Sequence, residues 1–537
     1  MTDNSLAAPG AAPTTVREAV YDFLRQAGAC RIFGNPGSTE LPMFRDFPDD
    51  FEYVLGLQEA VVVGMADGYA QATGAAAVVN LHSAAGVGHA MGNIYTAYKN
   101  QTPLVIVAGQ QARSLMALDP YLGSAHATEL PKPYVKASFQ ALRAEDVPQL
   151  VARAYYTAMQ APRGPVLVSV PVDDWDRPAS RVPWRTVSPR VAPDPRWMAG
   201  LADALNRARR PAFVVGPSVD REQAWETMVA LAERHQAAVH VAPFSARCSF
   251  PEDHPLFQGF LPAARERIVE LLGGHDVIVV VGAAAFVQHI EGAGSIVPTD
   301  AQLFQVTEDP DAAHWAPEGS AAVGDVALAL QSLLQQSHPV ARVAPAPRPE
   351  PAPLDATEPM SVGYVLQTLA QLRDADAIVV EEAPSSRVVM HVRLPILRPG
   401  TFYTMASGGL GYGMPAAVGV AMARPGQRVI CVIGDGSTMY SPQALWSAAQ
   451  HRLDITFVVI NNGGYGAMQR FAGLFQFPAG RELPGVKVSG LDFVGLAQAQ
   501  GCAGARVTQA AELPAAMRRA LTTPGPQLLE VVVASAF

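Results

Sequence analysis

Two polar turns, Gly434-Asp435-Gly436 and Asn461-Asn462-Gly463-Gly464, each follow directly on an apolar run, RVICVIG and ITFVVI. The segment that parts them, 437–460, is long enough for one helix and one strand. Such a βαβ connection returns the chain to the same end of a parallel sheet, so both turns meet there. A carboxylate from Asp435 and an amide oxygen from Asn462 suit a hard divalent cation that still needs phosphate oxygens and water to complete an octahedron, as Mg²⁺ does. The glycines let backbone N–H groups approach an anion closely. Alone, either motif is an ordinary turn. Paired at one crossover's spacing, each after a strand, they point to a metal–diphosphate site.

A further acid raises a different question. Glu59 stands in LGLQEAVVVGMA, the only charge in an otherwise apolar stretch. Losing water around an unpaired carboxylate costs several kcal/mol or changes its protonation. Either Glu59 starts a helix and faces water, or its proton is put to use.

The elements that must position these groups are legible in outline. The chain has 537 residues, 49% hydrophobic and 16% charged, with a net charge of −9. That length suggests two to four domains, and the charge gives no support to nucleic-acid binding. The N-terminus, MTDNSLAAPGAAPTT, does not read as a secretory signal. No apolar run free of Gly, Pro and charge reaches membrane-spanning length. Cys30, Cys248, Cys431 and Cys502 are scattered without a CxxC, indicating neither a disulfide framework nor a zinc site. The expectation is a cytoplasmic enzyme with no nucleic-acid or membrane partner. Pro-rich stretches at 174–196 and 338–360 read as linkers, the second as an extended spacer. Between them, runs such as AAAVVNL, PLVIVAG, PAFVVG, DVIVVVG and QLLEVVV alternate with helix-like segments. This predicts an α/β protein of three doubly wound parallel-sheet domains, at 14–180, 190–340 and 358–537. Ligands in such sheets gather at the carboxyl ends of strands.

The GDG…NN pairing resembles the signature of thiamin-diphosphate-dependent enzymes, and the three-domain layout resembles their large decarboxylase and synthase branch. The resemblance covers nearly the whole chain. It implies that Mg²⁺, held by Asp435, Asn462 and the Gly464 carbonyl, ties the cofactor's diphosphate to the C-terminal domain. Glu59, in QEAVVVGMADGYA, matches the Glu that hydrogen-bonds the aminopyrimidine ring and activates the cofactor. A carboxyl group in apolar surroundings holds a proton more readily than in water, which suits that task. Leu410, in SGGLGYGMP, matches the bulky residue beneath the thiazolium, and Gly408 the carbonyl facing the exocyclic amine. The glycine spacing here imitates a dinucleotide loop but follows no apolar strand, which argues against NAD or FAD. Ser385, Ser386, Gly436, Ser437 and Tyr465 fall where the family contacts the diphosphate region; Pro384 replaces a hydroxyl residue. The family habit further implies a homo-oligomer, at least a dimer and by its relatives a tetramer, with active sites at the subunit interface.

Within that family, FGNPGSTELP, NLHSAAGVGHAMG, GFLPA and QRFAG resemble the benzoylformate decarboxylases. The resemblance implies that Ser38 holds the substrate carboxylate and that His82 and His289 are active-site imidazoles. Each His alone reads as a structural residue. His89, His126 and His391 have no such match and are read as structural. Tyr121, Leu122, Met468 and Phe471 would line the pocket for the R group, with Tyr121 where an aliphatic residue is usual. Without the resemblance, Met468 and Phe471 read equally as helix core. The implied reaction is non-oxidative decarboxylation of an aryl 2-oxo acid, benzoylformate, to the aldehyde and CO₂, with aldehyde carboligation as a side reaction. The alternatives are an acetolactate-synthase-like carboligase or a 2-hydroxy ketone lyase of the same cofactor class. A non-catalytic cofactor sensor would dispense with Glu59 or the metal ligands, and all are present.

Overall fold

β-Branched runs buried on both faces form three separate six-stranded sheets, every strand parallel to its neighbours. The computed structural model describes residues 14–478, 481 and 483–535. It divides into two compact units, one of Met1–Ala70 with Ala75–Ser188, the other of Gln71–Gly74 with Pro189–Phe537.

The first unit holds β1 (Arg31–Asn35), β2 (Glu52–Leu55), β3 (Ala77–Leu81), β4 (Leu104–Gln110), β5 (Ala137–Gln140) and β6 (Pro165–Pro171). Their order is β2-β1-β3-β4-β6-β5. The direction of winding reverses between β1 and β3, the kind of crevice in which open α/β sheets bind ligands. Register pairs Asn35 with Leu81, which sets the turn after β1 against the residue after β3. Helix α1 (Glu59–Thr73) begins at the acid noted above, and α2 (Ser83–Lys99) begins directly after His82.

The second unit carries two sheets. One contains β7 (Pro211–Val215), β8 (Ala238–Val241), β9 (Phe257–Phe260), β10 (Val277–Val281), β11 (Gln302–Thr307) and β12 (Ser320–Val323), in the order β9-β8-β7-β10-β11-β12. The other contains β13 (Ile378–Glu382), β14 (Phe402–Thr404), β15 (Val429–Gly434), β16 (Ile455–Asn461), β17 (Ala503–Val507) and β18 (Gln527–Val532), in the order β14-β13-β15-β16-β18-β17. Its winding reverses between β13 and β15. Register pairs Glu382 with Ile433 and Gly434 with Ile460, so the turns after β13, β15 and β16 lie side by side. Helix α3 (Gly413–Ala423) is apolar and buried through most of its length; α4 (Asp435–Thr438) and α5 (Gly466–Ala472) are short and open at the strand ends.

The Pro-rich stretches lack regular structure for most of their length but are not free spacers. Arg342 donates to the carbonyls of Ala208 and Asn206 at 2.8 and 3.3 Å, and Arg348 lies 4.9 Å over the Phe257 ring. Trp184 packs against Phe23, Tyr155 and Tyr156. Arg190 makes a bidentate pair with Asp325, both contacts at 2.7 Å. Proline content predicted extension; the intervening arginines and tryptophan pin the chain to its neighbours. All four cysteines are free. Among the described residues no helix is long and apolar enough to cross a membrane.

Candidate active site

The strand ends of the last sheet enclose a cavity of about 320 Å³. Its lining includes Ser385 and Ser386 from the loop after β13, Gly408 and Leu410 from the loop before α3, and Asp435, Gly436 and Ser437 from the start of α4. Asn462, Gly464, Tyr465 and Met468 complete the wall after β16. Asp435 is buried, 3% exposed. One carboxylate oxygen accepts the Gly436 N–H at 2.7 Å, while the other, Oδ2, is buried without a hydrogen-bond partner. Burial raises its affinity for a proton above the ordinary carboxylate range. A buried charged oxygen left unpaired is costly unless something binds it. Asn462 Oδ1 accepts from Gly464 N at 3.2 Å.

Two residues the sequence reading missed brace this cavity. Glu382, fully buried at the end of β13, accepts the backbone N–H groups of Gly411, Tyr412 and Gly413, and so fixes the loop that carries Gly408 and Leu410 to the start of α3. Burial pushes its carboxyl up to about 7 despite those donors. The signal was present: AIVVEE is an apolar strand ending in acids, the same anomaly as Glu59. Arg470, on α5, donates to the Ser385 carbonyl at 2.8 Å, while the Ser385 hydroxyl accepts the Ala467 N–H at 2.9 Å. That hydroxyl keeps its own O–H free to donate to a phosphate oxygen.

In the first unit, Ser38 is exposed at the start of a short 3₁₀ turn after β1. Two residues on, Glu40 is buried, 2% exposed. Its Oε2 lies 2.8 Å from His82 Nδ1 and accepts the Gly37 N–H, also at 2.8 Å. The Thr39 hydroxyl donates to its other oxygen at 2.6 Å. A proton on His82 Nδ1 satisfies Glu40 and leaves Nε2 for other work. The network needs two glycines. A Cβ at Gly37 would stand 2.2 Å from His82 Nδ1, and one at Gly109 would stand 1.9 Å from Glu40 Oε1. Sequence reading found His82 but not Glu40, because GSTE reads as a polar turn and nothing local says that its one acid turns inward.

Glu59 is the first residue of α1, and its side chain is 15% exposed. It starts a helix, as one reading has it, yet mostly faces protein rather than water. His89, read as structural, has Nδ1 3.2 Å from Glu59 Oε2. His391 is half-buried and stacked on Phe260 at 3.5 Å between ring centroids, and desolvation of the ring pushes its imidazole down to about 3. His126 is exposed in the loop after β4.

His289 follows β10 in the second unit and is exposed. Phe471, on α5, meets it edge to face at 4.8 Å. Met468 is 53% exposed, and among the described residues only Gly466 and Ala472 of α5 are buried, so neither Met468 nor Phe471 is helix core. In the first unit Tyr121 is 87% exposed, and Leu122 adopts a left-handed backbone with φ of 62°.

The cavity fits a Mg²⁺-bound diphosphate on its own features: an orphaned carboxylate oxygen, hydroxyls at two neighbouring turns, and a glycine, Gly436, where a Cβ would stand 2.4 Å from the Tyr465 ring. Among the described residues no group of three or more His, Cys, Asp or Glu could hold a metal, so the candidate ligand set is one carboxylate, one amide and one backbone carbonyl.

Comparison with known proteins gives matches along the chain. Residues 14–131 match the N-terminal TPP binding domain of thiamine pyrophosphate enzymes, 198–333 their central domain and 384–531 their C-terminal TPP binding domain. The chain is 44% identical to benzoylformate decarboxylase of Pseudomonas aeruginosa over 96% of its length and 98% of that protein's. It superposes on the crystal structure of benzoylformate decarboxylase from Polynucleobacter necessarius with a TM-score of 0.94 at 39% identity, covering 97% of this chain and 98% of that one. For the Rhodococcus jostii RHA1 thiamine diphosphate-dependent 4-hydroxybenzoylformate decarboxylase the TM-score is 0.93 at 40% identity, covering 97% and 99%.

Proposed function

The chain belongs to the thiamine pyrophosphate enzyme family, and from that premise we propose that it is a carboxy-lyase that converts an aryl 2-oxo acid, benzoylformate, to the aldehyde and CO₂. The observation that carries the reading is the 44% identity to a benzoylformate decarboxylase over nearly the whole of both chains, and the presence of Ser38, His82 and His289 in the sequence supports it.

Thiamin diphosphate, when bound, supplies the electron sink for the pair released as CO₂ departs. Asp435, Asn462 and the Gly464 carbonyl would hold Mg²⁺, and the hydroxyls of Ser385, Ser386 and Ser437, with Gly436 beside them, line the wall that would face the diphosphate. Leu410 and the Gly408 carbonyl would orient the cofactor's rings, and Tyr465 closes the wall beside Gly436. Glu59 holds a proton at the aminopyrimidine nitrogen. Ser38 donates to the substrate carboxylate. His82, its Nδ1–H anchored on Glu40, presents Nε2 for proton transfer, and His289 handles a second proton. Tyr121, Leu122, Met468 and Phe471 give the aryl ring an apolar lining that excludes water. By family habit the reading includes a cytoplasmic homo-oligomer, at least a dimer and by its relatives a tetramer, with active sites at the subunit interface. Four free cysteines suit a reducing compartment. Aldehyde carboligation is a side reaction of the same site.

The test is direct. Ser38→Ala and His82→Ala are each expected to lower kcat/KM for phenylglyoxylate by about 100-fold or more, within the usual reach of acid–base and positioning groups, while the cofactor Kd stays within a few-fold. Wild-type turnover in both rejects the assignment. Glu40→Gln keeps an acceptor for His82 Nδ1–H but loses the charge that steadies an imidazolium. Its expected cost is about 10-fold in kcat, the scale of a partner that orients a functional imidazole; steady-state kinetics with unchanged kcat would detach Glu40 from the chemistry.

A further inference from the structure

Phe244 occupies a position that neither backbone preference nor burial explains. It lies in the turn after β8, at the carboxyl edge of the central sheet, with φ of +54°. That is the left-handed region, which Gly and Asn enter readily and a bulky aromatic residue seldom does. Nor does the site repay the strain by burying the ring, which is 43% exposed. What the ring does is meet His289 edge to face, 6.0 Å between centroids and 89° between planes. Phe471 meets the same imidazole at 4.8 Å and 87°.

His289 is thus met edge to face by two aromatic rings on two different elements, the turn after β8 and helix α5. Its backbone N–H is tied to the Ala263 carbonyl at 2.9 Å. Among the described residues its imidazole has no hydrogen-bond or ion-pair partner. His82 contrasts with it, since that ring is aimed by a buried carboxylate. An imidazole that must deliver a proton to a particular atom needs its orientation fixed by something, and at His289 the two rings are what is present. Edge-to-face contacts prefer defined geometry, so removing one ring frees rotation of the imidazole without removing any group that touches substrate.

We infer that Phe244 is a positioning residue for His289: the strained turn presents its ring so that, together with Phe471, it holds the imidazole ready for proton transfer. The inference rests on the reading of His289 as a proton-handling group. Phe471 also faces the aryl pocket, so Phe244 is the cleaner residue to test.

The experiment compares Phe244→Asn, Phe244→Tyr, His289→Ala and the His289→Ala/Phe244→Asn double variant as holoenzymes with phenylglyoxylate. Asn tolerates the left-handed backbone, so Phe244→Asn should melt at or above the wild-type Tm and bind cofactor with unchanged Kd. Its kcat should fall about 10-fold with KM within 2-fold, a loss in the range that misplacement of a catalytic group produces. Phe244→Tyr keeps the ring and should restore wild-type kcat. His289→Ala should lose about 100-fold, and adding Phe244→Asn to it should cost nothing further, because the group being positioned is gone. An impaired His289→Ala beside an unimpaired Phe244→Asn, or a double variant in which the two losses multiply, overturns the inference alone. Unaltered turnover in His289→Ala overturns the reading of the site beneath it and the inference together.

Discussion

Glu59→Gln is expected to cut decarboxylation by about 10²–10⁴, the range over which a positioned acid or base acts, while the folded chain scarcely notices. The structural side of that statement comes from its place in the helix. Glu59 is the first residue of α1, where a carboxylate interacts favourably with the helix dipole by about 0.3–1 kcal/mol. Gln gives up that increment and keeps the shape. Its contact with the exposed His89, at 3.2 Å, belongs to the class of surface pairs worth roughly 0–1 kcal/mol. The catalytic loss corresponds to about 3–5 kcal/mol, so the two effects separate cleanly: a Tm within a few degrees of wild type beside a collapsed kcat. The sharper readout is exchange of the C2 proton of bound thiamin diphosphate with deuterium, followed by quenched-flow NMR. Slowed exchange assigns Glu59 to cofactor activation. Unchanged exchange leaves it a helix-start residue and removes the reason for its place in an apolar run.

Asp435→Asn should move stability and binding in opposite directions. The wild-type side chain is 3% exposed, with one carboxylate oxygen unpartnered and unreachable by water. Desolvation of this buried charge outweighs the help of nearby backbone N–H groups, as its raised proton affinity shows, and the neutral amide removes the charge at nearly constant volume while its oxygen can still accept the Gly436 N–H. The cofactor-free variant is therefore expected to melt at or above the wild-type Tm. Cofactor binding in the presence of Mg²⁺ should weaken by more than the roughly 10–100-fold that outer partners of metal ligands carry, because a charged ligand itself is lost. Differential scanning calorimetry of the cofactor-free chain and titration calorimetry with thiamin diphosphate, with and without Mg²⁺, measure the two halves. A variant that is less stable and binds cofactor normally would show Asp435 to be an ordinary structural residue.

The architecture was readable because parallel strands buried on both faces are long apolar runs, and a motif that directly follows such a run is already located at a strand end. Register does the rest. Once Gly434 pairs with Ile460, Asp435 and Asn462 share one cavity, and the pairing of Asn35 with Leu81 seats the Ser38 turn beside His82. Legibility stopped where a residue's role depends on a partner distant in sequence. Glu40 gave no local sign that it was buried against His82, and the pairing of Phe244 with His289 spans two loops of the same sheet. Arg470 grips the Ser385 carbonyl from a helix that begins after β16. The stretch 338–360 is irregular, as its prolines suggest; what composition did not reveal is that Arg342 and Arg348 hold it to neighbouring carbonyls and a ring. Glu382 was a different failure: the anomaly that singled out Glu59 was equally visible there.

The central claim is that this chain's cofactor site and its Ser38–His82 constellation together remove CO₂ from an aryl 2-oxo acid. The most direct measurement takes the protein stripped of cofactor, supplies phenylglyoxylate or pyruvate with and without thiamin diphosphate and Mg²⁺, and identifies the products. The account predicts benzaldehyde and CO₂ in equal amounts from phenylglyoxylate only when both cofactors are present, and little turnover of pyruvate. Acetolactate formed from pyruvate with no benzaldehyde from phenylglyoxylate, or benzaldehyde released as fast by the stripped protein, would contradict it.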